Sequence, residues 1–259
     1  MNFSRILVMA SNVFQEVIRD RILYIIGFYT LILAAAIRIL PEIAASSENK
    51  IFLDFGIVLM SVIALIVAVF IGTGLVNKEI EKRTILVLIA KPISRSEFIT
   101  GKYFGLSAVL AVLITIMTVI YLGFLQVAHV PHGTASILIA IVFLFLQISL
   151  INALAISFGS FTSSLLAVIL TFAVYLMGNI SQDLLKFGRL SRNPGIEHLT
   201  QALYLILPDL SRLDLKNHAV YGLQALPSPT AMMANAGYGL LYSSMLLAIA
   251  ILIFSRREF

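Results

Sequence analysis

The chain has 259 residues, 60% hydrophobic and only 12% charged, with a mean hydropathy of +1.01 and a net charge of +5. A soluble domain carries about 25% charged residues, so this composition cannot cover itself with a polar surface and points to an integral membrane protein. The basic residues sit at segment ends, which fits membrane topology rather than a nucleic-acid partner. With no cysteine, neither a disulfide framework nor a thiolate metal site can form.

Residues 1–21 form the first segment. Phe3, Ile6, Leu7, Ala10, Val13, Phe14, Val17 and Ile18 recur at helical spacing, with Arg5, Asn12, Gln15, Glu16 and Arg19 opposite. This amphipathic helix is expected to lie in the membrane interface; the plainer alternative is a soluble helix packed on a partner. Arg5, Glu16, Arg19 and Asp20 also break up the compact apolar core that a cleavable signal segment requires.

Six apolar stretches approach or exceed the roughly 20 residues needed to cross a bilayer: 22–40, 52–76, 103–127, 135–158, 165–180 and 234–254. The fifth is the shortest, and only residues 159–164 separate it from the fourth, so a tight helical hairpin is expected there. The fold class is therefore all-α, an interfacial amphipathic helix followed by a six-helix transmembrane domain over 22–259. With the N-terminus inside, the inner segments hold eleven of the 18 Lys and Arg. Five of the seven outer ones fall in one long loop, where the positive-inside bias is weak. Both termini are thus expected in the cytoplasm.

Two polar regions interrupt the spans. The inner one, residues 77–102, carries Lys78, Glu79, Glu81, Lys82, Arg83, Thr84, Leu86, Lys91, Arg95, Glu97 and Lys102. A helix is expected over about 78–90, stopped at Pro92, which lacks the N–H a helix interior needs. Ser94-Arg95-Ser96-Glu97 then has the spacing of a capping box. This segment reads as a handle for a partner protein, the alternative being a basic loop on anionic lipid. The outer region, 181–233, contains another amphipathic stretch (Ile196, Leu199, Leu203, Ile206, Leu207) and suits a small cap or docking surface.

Little in the chain looks catalytic. The phosphate-loop pattern is absent, and its nearest look-alike, Gly72-Thr73-Gly74-Leu75-Val76-Asn77-Lys78, lacks the second glycine before lysine. An ATP-driven machine would need its ATPase, with ATP and Mg²⁺, on a separate chain. His129 and His132 flank Pro131 without a nearby acid, and His198 and His218 lie in the long outer loop. No metal site is assigned to them. Candidate pathway or dimer-interface residues are Asp54, the acid close to a span, and the small-residue ridge Ala64, Ala68 and Gly72. The polar stripe Thr171, Tyr175, Asn179 and then Gln182 joins them. For this stripe, and for Gln147 and Asn152, hydrogen bonds that hold helices together are the competing account.

At the handle, Glu79-Ile80-Glu81-Lys82-Arg83-Thr84, Ala90-Lys91-Pro92-Ile93-Ser94-Arg95, Glu97-Phe98 and Gly101-Lys102-Tyr103 resemble the first cytoplasmic loop of class 2 ABC exporter permeases. The likeness is nearest the branch associated with multicopper-enzyme maturation, such as nitrous-oxide reductase assembly. Leu207-Pro208-Asp209-Leu210-Ser211-Arg212-Leu213-Asp214 also looks like that branch. The resemblance implies a coupling helix that docks on a cytoplasmic ATPase, two copies of each chain, and no catalysis by this one. It implies a multi-pass protein of the cell (inner) membrane, in contact with lipid and with a periplasmic or extracellular partner at 181–233. Substrate export and transmission of motion to that partner are both open outputs. The chain departs from a copper route, having no cysteine and no Met or His ladder through the membrane. An ATP-independent secondary transporter would instead need mid-membrane charges and internal repeats. A membrane enzyme would need convergent acids, histidines or a nucleophile. A membrane scaffold for metalloenzyme maturation is a further alternative.

Overall fold

A computed structural model of the chain describes residues 3–43, 48–81, 94–191 and 193–256. Among them all regular structure is helical. Helix α1 (Phe3–Ile43) joins the amphipathic segment to the first span without a break. At 1.5 Å per residue it is roughly 60 Å long, twice the hydrocarbon core, so about half of it lies outside that core. Ile6, Val13 and Val17 are buried, while Phe3, Leu7 and Val8 on the same half are exposed.

Helices α2 (Glu48–Glu81), α3 (Arg95–Val127), α4 (Thr134–Gly159) and α9 (Pro229–Arg256) are each long and apolar enough to cross. Helix α5 (Ser164–Asn179) has only 16 residues and passes that test only together with α6 (Ser181–Leu190), from which it is bent by 61°. Helix α7 (Pro194–Ile206) folds back on α6, with Gly188 beneath Thr200, and the short α8 (Lys216–Val220) follows.

Local chemistry sets the boundaries. The expected capping box is formed: Ser94 Oγ accepts the Glu97 backbone N–H at 3.2 Å, and Ser94 N–H donates to the Glu97 carboxylate at 2.9 Å. Helix α7 starts at Asn193, which accepts the Gly195 N–H at 2.9 Å, with Pro194 at the first helical position. In the α4–α5 turn Ser160 and Thr162 donate to Ser157 O and Phe158 O, which gives the tight hairpin read from the sequence.

Glycines set how closely the helices approach. A Cβ on Gly72 of α2 would lie 2.9 Å from Ala155 Cβ of α4, and one on Gly159 would lie 2.9 Å from Thr73 O. A Cβ on Gly101 or Gly105 of α3 would lie 2.7 Å from Met9 or Val13 of α1. These two form a G-x-x-x-G run that lets α1 lie against the first turns of α3.

The outer segment does more than cap. Gln147, midway along α4, donates to Asn179 Oδ1 at 3.1 Å and to Leu210 O at 3.4 Å. Thirteen residues separate Gln147 from the start of α4, so the chain at Leu210 dips roughly 20 Å below that end of the bundle. Leu210 and Leu213 are fully buried there, beside Gly178 of α5 and Gly239 of α9. Residues 207–213 thus fill the space that the short α5 leaves.

Candidate functional site

At the base of the handle four interactions join four helices. Glu79, in the last turn of α2, pairs with Lys102 of α3, whose ammonium also lies 5.4 Å from the Phe98 ring centroid. The Lys102 side chain is 6% exposed and the Glu79 side chain 23%. Such a pair is held by geometry, because desolvation offsets most of the attraction. Arg95 donates to the carbonyls of Phe254, at 3.0 Å, and Ser255, at the C-terminal end of α9, where a cation suits the helix dipole. Phe98 stacks on Phe254 with centroids 5.5 Å apart. Arg5 of α1 lies 4.0 Å from the buried Glu97 carboxylate. Both ends of the described chain therefore meet the flanks of the handle at one end of the bundle.

Toward the other end a second polar cluster is centred on Asp209. Its carboxylate accepts from Ser181 (3.0 Å) and Gln182 (3.2 Å) of α6, Tyr204 of α7 (3.3 Å), Ser211, and Arg212 Nε (3.0 Å). Its backbone N–H donates to Tyr238 of α9 at 2.8 Å. Arg212 also donates to Tyr204 and lies 5.1 Å over the Tyr238 ring. Burial acts to raise the Asp209 pKa, but the bonds from Ser211, Gln182, Arg212 and Ser181 outweigh it and hold the carboxyl below its usual range. An ionised carboxylate thus ties α6 and α7 to residues 207–213, and the Asp209 N–H ties the same residues to α9.

Of the residues assigned to coupling, Lys78, Glu79 and Glu81 lie in the last turn of α2. Glu79 is turned inward onto Lys102. Lys82, Arg83, Thr84 and Leu86 lie outside the described residues, as does the stop at Pro92. Ala64, Ala68 and Gly72 are buried within this one chain, Gly72 against α4. Thr171 is fully buried and donates to Ala167 O, while Asn179 donates to Tyr175 O and accepts from Gln147. Within the stripe Asn179 joins α5 to α4 through Gln147, the bonds donated by Thr171 and Asn179 stay inside α5, and Gln182 belongs to the Asp209 cluster. Asp54 is part-exposed and its Oδ1 has no hydrogen-bond partner among the described residues. His132 Nδ1 lies 2.8 Å from Val130 O, and among the described residues no group of three acids or histidines is placed to hold a metal. The Lys102 and Asp209 clusters were not singled out in the sequence as working units. The signals were present in the G-x-x-x-G run around Lys102 and in an acid within an otherwise apolar Leu-Pro-Asp-Leu.

These features define a polytopic helical membrane protein in which α2 and α3, the helices flanking residues 82–93, are tied to each other and to α1 and α9 at one end of the bundle, with a charged hub toward the other end. Over residues 7–259 the chain matches the model for the ABC-2 family transporter protein, and it belongs to that family. No curated protein matches it.

Proposed function

We propose that this chain is the permease subunit of an ABC exporter, driven by a cytoplasmic ATPase that grips residues 78–90. The observation that carries this reading is the bracing of the handle base. Glu79–Lys102 joins its two flanking helices, and Arg95 with Phe98 ties it to the end of α9. A pull on the handle then moves α9, and α9 holds the Asp209 loop through Tyr238. That connection favours motion passed to the outer segment and a partner protein docked there, in keeping with the likeness of 207–214 to the multicopper-enzyme-maturation branch. ATP and Mg²⁺ belong to the ATPase, of which two copies act on two permease copies in the cell (inner) membrane with both termini cytoplasmic. The two permeases meet through exposed apolar faces rather than the buried Ala64–Gly72 ridge.

The test is co-purification with the ABC ATPase subunit that this reading requires. Because Glu79 is engaged with Lys102, the docking variant is Arg83→Glu/Leu86→Asp, expected to lose the ATPase. Arg95→Ala/Phe98→Ala is expected to keep it but lose permease-dependent stimulation of ATP hydrolysis. Wild-type binding by the first variant would exclude docking at 78–90; wild-type stimulation by the second would exclude transmission through α9.

A further inference from the structure

Helices α6 and α7 form a hairpin whose root lies deep in the bundle. Gly72 of α2 faces Ala155 of α4, and Gly159 of α4 faces Thr73 O of α2, so these two helices run side by side in the same direction. Gln147, eight residues before Ala155, is therefore level with Ala64, near the middle of the apolar stretch 52–76. Gln147 holds both Asn179, the last residue of α5, and Leu210. Helix α6 starts two residues after Asn179, and its Ser181 and Gln182 bind Asp209, just past the end of α7. At 61° to α5, helix α6 climbs only about 0.7 Å per residue toward the outside when α5 stands along the membrane normal. Lys186 thus remains roughly 13 Å below the outer end of α4.

The charges at that depth are open. Asp183 and Lys186 pair at 2.9 Å with side chains 74% and 70% exposed, and the Arg212 side chain at the root is 41% exposed. Gln182, Lys186 and Arg189, at i, i+4 and i+7, share one flank of α6 and are all exposed, while exposed Phe187 lies on the other flank with Leu184. Acyl chains suit Phe187 but not the charged flank, because charges in hydrocarbon are strongly disfavoured and an exposed ion pair contributes too little to offset that. We infer that the flank of Gln182, Lys186 and Arg189 lines a water-filled crevice, open to the outside and ending blind at Gln147, Asn179 and Leu210. It admits water and small polar solutes to the middle of the membrane. The apolar barrier of this chain is then confined to its inner half, between Gln147 and the Glu79–Lys102 pair. The inference rests on the outer placement of residues 181–233 and not on ATPase docking.

The test introduces Lys186→Cys, Phe187→Cys and His198→Cys singly into the full-length, cysteine-free chain. Their reaction is followed in intact cells with a permanently charged, membrane-impermeant methanethiosulfonate, which needs a hydrated thiolate. His198, exposed on α7, reports the outer placement. Lys186→Cys is expected to react within about tenfold of the His198→Cys rate, and its neighbour Phe187→Cys about a hundredfold more slowly. Bimane attached to Phe187→Cys in detergent should, once the chain is in vesicles, be quenched by phosphatidylcholine brominated in its acyl chains. Lys186→Cys as slow as Phe187→Cys beside a fast His198→Cys would mean that lipid or a second copy covers the flank, and would overturn the crevice. Equally fast reaction of all three, or no quenching by the brominated lipid, would put the hairpin outside the membrane and overturn its depth. An inert His198→Cys would overturn the outer placement, and the outward opening with it.

Discussion

Asp209 and Lys102 are single charges on which much of the packing depends. Asp209→Asn keeps the shape but removes the charge that Arg212, Gln182 and the two serines address. A charge-assisted hydrogen bond contributes about 1.5–3 kcal/mol, and the expected loss is about 2 kcal/mol, read as a lower thermal midpoint in detergent. The pH dependence follows from the lowered pKa. The stabilisation is complete above the unfolded carboxyl value, about 3.9, and is lost as the pH falls through the lower folded value. Wild type should therefore lose stability relative to Asp209→Asn only at acid pH. Lys102→Met leaves Glu79 facing a partly buried site without its cation, at an expected cost of about 3 kcal/mol. Adding Glu79→Gln should restore most of it. A double mutant no more stable than Lys102→Met would mean that the pair is not coupled.

Among the elements, the contact of α2 with α4 has the least room. Gly72→Leu places a side chain where even a Cβ comes within 2.9 Å of Ala155 and 3.3 Å of Asn152 Oδ1. Overpacking of this kind costs about 1–3 kcal/mol, and a thermal midpoint equal to wild type would show that α4 can retreat. The capped start of α3, the tight α4–α5 turn and the long helices were legible in the sequence, because capping and apolar length are local properties. The continuity of α1 with the first span was hidden by a change of pattern, from an amphipathic stripe to uniform apolarity, inside one helix. The Asp209 cluster was less legible still. Its members, Ser181, Gln182, Tyr204, Arg212 and Tyr238, come from separated segments that only tertiary packing brings together. The small-residue ridge was readable as close packing, but whether the neighbour was this chain or a second copy depended on where α4 lies.

At the scale of the molecule, the contacts of Arg5 with Glu97 and of Arg95 with Phe254 put both ends of the described chain beside the handle. An even number of crossings follows, which requires α5 with α6 to count as one. The chain has no cysteine, so introduced thiols can be labelled without background. An impermeant maleimide should label His198→Cys in intact cells, and Arg256→Cys only after permeabilisation. Equal labelling of both in intact cells would place them on one face and remove a crossing.

The shortness of α5 has a consequence for biosynthesis. Sixteen residues reach about 24 Å, less than the roughly 30 Å of a hydrocarbon core, and residues 207–213 occupy the remaining space. When α5 leaves the ribosome those residues have not yet been made. Once made, they meet Gln147 of α4, Ser181 and Gln182 of α6 and Tyr204 of α7, and α9 then adds the contact of Tyr238 with the Asp209 N–H. The nascent chain thus passes through a stage in which its fifth segment is underlength in lipid. Integration is completed only when the last helix arrives. Chains stopped before α9 should therefore be the preferred substrates of membrane quality-control proteases.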